Sequence, residues 1–235
     1  MPPLILWDID GTLMRGNGHV ARLFVQALRE VYDLPDELKR IDYGGKTDGQ
    51  IVLETLALHE IDESVALDYL PRFNQTYRDL IESVAHELHQ SLRLLPGVVP
   101  VLETLARRGA VQTLLTGNME PVAAIKLRAL NLERFFDLQI GAYGSDDRDR
   151  TKLVPIARRK AETRHGKVID QIVVIGDTPR DIACGKAGGA RTIAVATGSF
   201  GVAELQAHEP DVVLTDLSDT AAVILAILGT DEQFE

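Results

Sequence analysis

A chain of 235 residues with 45% apolar content can bury a large core, as one domain or as one carrying an insertion. A formal net charge of −10 excludes nucleic acid and anionic membrane as standing partners, since both need a basic field; an anionic substrate would still require local positive charge. The single cysteine, Cys184, excludes an intrachain disulfide framework. The longest apolar run, around Thr220–Leu228, falls far short of the roughly 18 residues of a membrane span, and the N-terminus shows no basic start or cleavage signal. A cytoplasmic protein is expected.

Residues 4–13 read Leu-Ile-Leu-Trp-Asp-Ile-Asp-Gly-Thr-Leu, a short apolar run ending in two aspartates and a glycine turn. A strand inside an α/β sheet is apolar throughout. Asp8 and Asp10 are therefore expected where the strand leaves the core, at the carboxyl edge where open parallel sheets bind ligands. Residues two apart on a strand share a face, so the two carboxylates should lie on one side. Held about 4 Å apart at an effective dielectric of about 20, they repel by roughly 4 kcal/mol. That demands a compensating cation or a displaced pKa.

Val20, Leu23, Phe24, Ala27, Leu28 and Val31 recur at three and four, which predicts an amphipathic helix. A second helix is expected over 51–58. A longer one starts near Pro71, with Phe73, Tyr77, Leu80, Ile81, Val84 and Leu88 as its buried stripe. Nothing in 15–92 reads as a strand. From Pro96-Gly97 onward helix and strand alternate: helix 98–108, strand 110–115, helix 121–130, strand 136–140, helix 152–163, strand 171–175, helix 180–187, strand 191–196, helix 202–206, strand 211–214 and a closing helix. This alternation specifies a parallel sheet with helices on both faces. The all-helical block is then an insertion after the acidic strand end. The expected division is an α/β core of residues 1–14 and 93–235 and a helical cap of residues 15–92, placed as a lid over Asp8 and Asp10 and hinged at Gly16-Asn17-Gly18 and 91–96.

Two further strand ends carry polar residues. After 110–115 comes Thr116-Gly117-Asn118, a hydroxyl and a glycine suited to donating hydrogen bonds to an anion. After Val173-Val174-Ile175 comes Gly176-Asp177-Thr178-Pro179-Arg180-Asp181, a second acidic pair. Between them Lys152 opens a basic helical stretch. The ordered set Asp-x-Asp-Gly-Thr, Thr, Lys, Gly-Asp-x-x-x-Asp resembles the four motifs of the haloacid dehalogenase superfamily, in its phosphatase branch with a helical (C1-type) cap. The likeness covers 1–13 and about 95–235, and is similar to phosphoglycolate phosphatases and sugar-phosphate phosphatases. It implies a Rossmann-like core and closure of the cap over a small phosphorylated metabolite, which excludes water.

The chemistry so implied is phosphoryl transfer, which needs an in-line nucleophile, charge neutralisation and a proton for the leaving group. Asp8 is the expected nucleophile, forming an aspartyl-phosphate, and Asp10 the general acid and then base. Asp177 and Asp181, with an Asp8 oxygen and, by resemblance, the main-chain carbonyl of Asp10, would hold Mg²⁺. Thr116, with backbone amides around Gly11, Thr12, Gly117 and Asn118, would orient the phosphoryl group. Lys152 would be the fixed cation, although the proline that often follows this lysine in the family is not adjacent here. Asp10 disfavours the dehalogenase and phosphonate-cleaving branches, which by resemblance lack this second aspartate.

Lys46, in the glycine-rich turn Tyr43-Gly-Gly-Lys-Thr-Asp48, is the expected substrate-selecting residue of the cap. A phosphomutase acting on a sugar phosphate and a non-enzymatic phospho-aspartate switch are the competing readings. Other matches fail. Gly16-Asn-Gly18-His-Val-Ala21 lacks the second strand of a dinucleotide fingerprint, Gly45-Lys46-Thr47 lacks the first glycine of a P-loop, and His86 and His89 with Glu82 read as a wet helix face.

Overall fold

The structure is a computed structural model that describes residues 3–39 and 41–229. Strand β1 (Leu4–Trp7) is buried along its whole length and pairs in parallel with β4 (Val111–Thr116) on one side and β6 (Ile172–Gly176) on the other. Strands β5 (Ala142–Tyr143), β7 (Arg191–Val195) and β8 (Val212–Leu214) complete a six-stranded parallel sheet in the order β5-β4-β1-β6-β7-β8. The apolar runs explain this placement, because a strand covered by helices on both faces has no solvent side to make polar. The chain moves outward from β1 to β4 and β5, then crosses back to β6 on the opposite side. The carboxyl ends of β4, β1 and β6 thus flank the point where strand order reverses, the crevice in which such sheets take ligands.

Register brings three chemically active segments level. Trp7 lies opposite both Leu114 and Ile175, and the Asp8 amide donates to the Ile175 carbonyl at 2.9 Å. Thr116 closes β4 and Asp177 follows β6 directly. Helices α4 (Val98–Arg107), α5 (Glu120–Ala129), α6 (Leu153–His165), α7 (Pro179–Ala187), α8 (Val202–Gln206) and α9 (Thr220–Leu228) fill the connections.

Between β1 and α4 the chain forms α1 (His19–Tyr32), α2 (Asp48–Leu58) and α3 (Glu63–Ser83). Phe24 of α1 packs edge-on against Phe73 and Tyr77 of α3, with ring centroids 5.1 Å apart in each pair, a geometry that aromatic quadrupoles favour. Where this block leaves and rejoins the sheet, β2 (Met14–Gly16) and β3 (Leu92–Leu94) pair antiparallel. The segments expected as plain hinges therefore include a short two-stranded ribbon.

Two other elements differ from expectation. Helix α3 begins at Glu63 and carries Pro71 in its interior instead of starting there. Ala66, Leu70, Phe73, Tyr77 and Ile81 form one stripe at intervals of three and four across the proline, and its burial outweighs the missing backbone hydrogen bond. The strand expected over 136–140 is replaced by 3-10 turns at Glu133–Phe135 and Leu138–Ile140. Asp137 accepts from the Gln139 amide at 3.2 Å, the local bond by which aspartate competes with a strand ladder. Pairing with β4 resumes only at Ala142 and Tyr143.

Candidate active site

A cavity of about 630 Å³ opens at the carboxyl ends of β1, β4 and β6, with Asp8, Asp10, Thr116, Arg150 and Asp177 in its wall. From the segment between β1 and α4, Phe24, Ile51 and Tyr77 add apolar surface to the cavity, and Lys46 and Asp48 add charged groups. The turn before α2 rests on the sheet side. The Asp48 amide donates to the Gly117 carbonyl at 2.8 Å, Asp48 Oδ2 accepts from the Met119 amide at 2.8 Å, and Thr47 Oγ1 donates to the Arg148 carbonyl at 2.7 Å. Gly117 permits this contact, since a Cβ there would fall 1.9 Å from the Lys46 carbonyl oxygen.

Asp8 is buried and receives Arg150 Nη2 on Oδ1 at 2.8 Å. The same guanidinium nitrogen donates to Asp181 Oδ1. Asp181 also closes a capping box at the start of α7, its Oδ2 taking the Thr178 amide at 3.0 Å and the Thr178 hydroxyl at 2.6 Å. Asp177 accepts from Thr12 Oγ1 at 3.0 Å. Carboxylate oxygens of Asp8, Asp177 and Asp181 all lie within 4.8 Å of one another.

Three buried acids against one guanidinium leave negative charge unbalanced. Burial, together with repulsion from Asp181, pushes the Asp8 carboxyl up to about 7 despite Arg150. Burial and then repulsion from Asp8 and Asp181 push Asp177 up to about 8. Burial works against the charge on Arg150, but the two carboxylates more than offset it and the net shift is upward.

Asp10 has separate partners. Its Oδ2 accepts from Lys126 Nζ at 2.6 Å and from Asn118 Nδ2 at 2.8 Å. Partial removal from bulk water inside the cavity would raise this carboxyl, but Lys126, Asn118 and Arg150 hold it below the usual carboxylate value. The two aspartates that strand alternation would set on one face are thus drawn to different cations, because β1 ends at Trp7 and the two-residue repeat stops there.

The expected site residues divide. Asp8, Asp10, Thr116, Asp177, Gly11, Gly117, Asn118 and Lys46 line the cavity, and Asp181 stands behind it on Arg150. Thr12 is fully buried and spends its hydroxyl on Asp177. Gly11 adopts φ +90°, and a Cβ there would enter the Asp177 carboxylate, so it shapes the acidic cluster. Thr116 Oγ1 accepts from the Asn118 amide group at 2.9 Å and backbone at 3.3 Å. Lys46 is tied to Glu54 on α2.

Lys152 does not reach the cavity. Its side chain is 60% exposed and sits 3.2 Å from Asp147. Arg150, only 5% exposed, occupies the place expected of it. Arg150–Lys152 is a 3-10 turn with about three residues per turn, so residues two apart project in different directions. The planar guanidinium can bridge two carboxylates, which an ammonium does less well. Lys126 was likewise not anticipated. The only signal was a single lysine inside Pro-Val-Ala-Ala-Ile-Lys-Leu, residues 121–127. His86 and His89 follow the end of α3 at Ser83 and belong to no cluster with metal-binding spacing among the described residues.

Comparison with known proteins gives matches over nearly the whole chain. "Pyrophosphatase PpaX" of Bacillus cereus (strain AH820) is 26% identical over 226 residues, covering 94% of this chain and 95% of that protein. "Probable phosphatase IndB" of Dickeya dadantii (strain 3937) is 29% identical over 234 residues, covering 97% and 96%. The crystal structure of a hydrolase from Pseudomonas syringae superposes with a TM-score of 0.63 at 22% identity, covering 95% of this chain and 98% of that one. Among the described residues no helix is long and apolar enough to cross a membrane. The family model for haloacid dehalogenase-like hydrolases matches residues 5–195, and the chain belongs to that family.

Proposed function

We propose that this hydrolase is a Mg²⁺-dependent phosphatase of small phosphorylated metabolites, working through an aspartyl-phosphate on Asp8. The observation that carries the reading is the separation of two acids onto two cations: Asp8 on Arg150 beside Asp177 and Asp181, and Asp10 on Lys126. The core of residues 1–14 and 93–235 supplies these groups, and the helical segment 15–92 acts as the cap.

The acidic cluster fits a hard divalent cation. Asp8, Asp177 and Asp181 offer only oxygen donors, and with all three ionised Arg150 would cancel one of three negative charges, leaving a deficit that one divalent ion would fill. Bound there, Mg²⁺ would neutralise carboxylates and phosphoryl oxygens together. Asp8 Oδ attacks phosphorus in line, forming the acyl-phosphate bond as the bond to the leaving oxygen breaks. Arg150 and the Thr116 hydroxyl, which among the described residues has no acceptor, face the phosphoryl oxygens. The incoming dianion raises the proton affinity of Asp10 by like-charge repulsion. Asp10, which takes up a proton from solvent as the ester binds, gives it to the leaving oxygen and, as carboxylate, takes one from the water that attacks phosphorus, releasing phosphate and restoring Asp8.

Phosphate release from a panel of monoesters, with pyrophosphate included because a relative carries that activity in its name, tests the reading. Release should stop on chelation, return with Mg²⁺ and vanish in Asp8→Asn. Isomerised sugar phosphate exceeding free phosphate would select a mutase, and the lack of multiple turnovers on any ester would select a phospho-switch.

A further inference from the structure

Lys126 is a charged side chain that the chemistry above leaves without a role. It lies on α5, is 3% exposed, and is flanked by the buried Ile125 and Leu127. Burying an ammonium costs several kcal/mol unless an anion accompanies it, and packing α5 would need only another apolar residue. The anion supplied is Asp10, whose side chain is 48% exposed toward the cavity.

The contacts are directional. Lys126 Nζ donates to Asp10 Oδ2 at 2.6 Å and to Asn118 Oδ1 at 2.7 Å. Asn118 Nδ2 donates to the same Asp10 Oδ2 at 2.8 Å and to Thr116 Oγ1 at 2.9 Å. A closed ring of three side chains thus clamps one oxygen of Asp10 with two donors. Among the described residues no donor reaches Oδ1. One oxygen is fixed by two donors, and the other is left without one on a residue that lines the cavity.

We propose that Lys126 is a positioning residue for leaving-group protonation: with Asn118 it holds Asp10 by Oδ2, so that Oδ1 carries the proton to the departing oxygen. This rests on the phosphatase reading. Lys126 borders the cavity, but its ammonium is engaged by Asp10 and Asn118, and in this scheme it acts through Asp10. The proton moves from Asp10 Oδ1 to the leaving oxygen as the P–O bond breaks, and Lys126 keeps its own three protons throughout. A lysine serving only to anchor α5 would affect every ester alike, whereas one that aims the acid matters most for leaving groups that need a proton.

The test compares kcat/KM, which reports steps through the first irreversible one, for phenyl phosphate and p-nitrophenyl phosphate in wild-type protein and Lys126→Met. Methionine keeps the volume, and the carboxylate it leaves unpaired can be reached by water. The expected loss is about 100-fold for phenyl phosphate, the lower end of what a positioned general acid contributes, and less than about 5-fold for p-nitrophenyl phosphate, whose leaving group departs without a proton. Lys126→Arg, which keeps a donor for Oδ2, should recover part of the phenyl phosphate rate. If Lys126→Met does not fold, Asn118→Ala removes the second donor to Oδ2, and the same unequal loss is expected at about 10-fold. Equal losses on both esters, or no loss, with unchanged circular dichroism, would overturn the proposal. Wild-type protein that turns over neither these esters nor any other ester of the panel would instead overturn the phosphatase reading itself.

Discussion

Raising pH on chelator-treated protein should destabilise it, in the opposite sense to ordinary acid denaturation. Asp8 and Asp177 have carboxyls pushed up to about 7 and about 8 by burial and mutual repulsion. Asp48, buried against α5 although the Met119 amide opposes the shift, is pushed up to about 6. An acid whose folded-state pKa lies above its unfolded value binds its proton more tightly when folded. Its contribution is complete below the unfolded pKa and disappears as pH rises through the folded one. The shift of Asp8 from 3.8 to about 7 corresponds to about 4 kcal/mol at ~1.4 kcal/mol per unit, and Asp177 and Asp48 act in the same direction. In a domain of this size 4 kcal/mol is about 8–16 °C in melting temperature. Urea or thermal unfolding in chelator, stepped from about pH 4 to about pH 8, should show this decline, and saturating Mg²⁺ should flatten it by supplying the missing charge. Stability that stays level or rises with pH in chelator would refute the charge deficit assigned to the acidic cluster.

Other outcomes follow from the same geometry. Arg150→Met should lower kcat by about 10²–10³-fold, as for loss of one preorganised charge donor, and steady-state phosphate release should show Lys152→Ala within a factor of about two of wild type, since an exposed ion pair contributes little. Arg150→Met should also be more stable in acid than at neutral pH, because it leaves Asp8 and Asp181 buried without a counter-charge; melting curves at two pH values check this. Gly117→Ala places a Cβ 1.9 Å from the Lys46 carbonyl oxygen, so it should push the α2 turn off the sheet edge and raise KM more than it lowers kcat. Equal kcat and KM effects would argue against that contact being part of substrate enclosure.

What could be read from the sequence was whatever depends on chain order and local pattern. Leu4–Trp7 and Ile172–Gly176 are buried runs followed by acids, so both strands and the placement of Asp8 and Asp177 at their carboxyl ends are legible in the sequence. The misreadings share a physical cause: each depended on where a side chain points or on packing across the chain. Lys152 and Arg150 lie two residues apart in one basic stretch, and only the 3-10 turn decides which faces inward. Pro71 looked like a helix start because its local rule is strong, yet a stripe from Ala66 to Ile81 against α1 overrides it. Lys126 could not be paired with Asp10 from sequence, because the two are 116 positions apart and meet only across β4 and α5.

The central claim is that Asp8 carries the phosphoryl group during turnover. Acid-quenching the protein with Mg²⁺ and a hydrolysed ester, then mapping peptides by mass, tests it most directly. The account predicts the mass of one phosphoryl group on the peptide containing Asp8, labile to hydroxylamine and absent in Asp8→Asn. A phosphoryl group on another residue, or full turnover by Asp8→Asn, would contradict it.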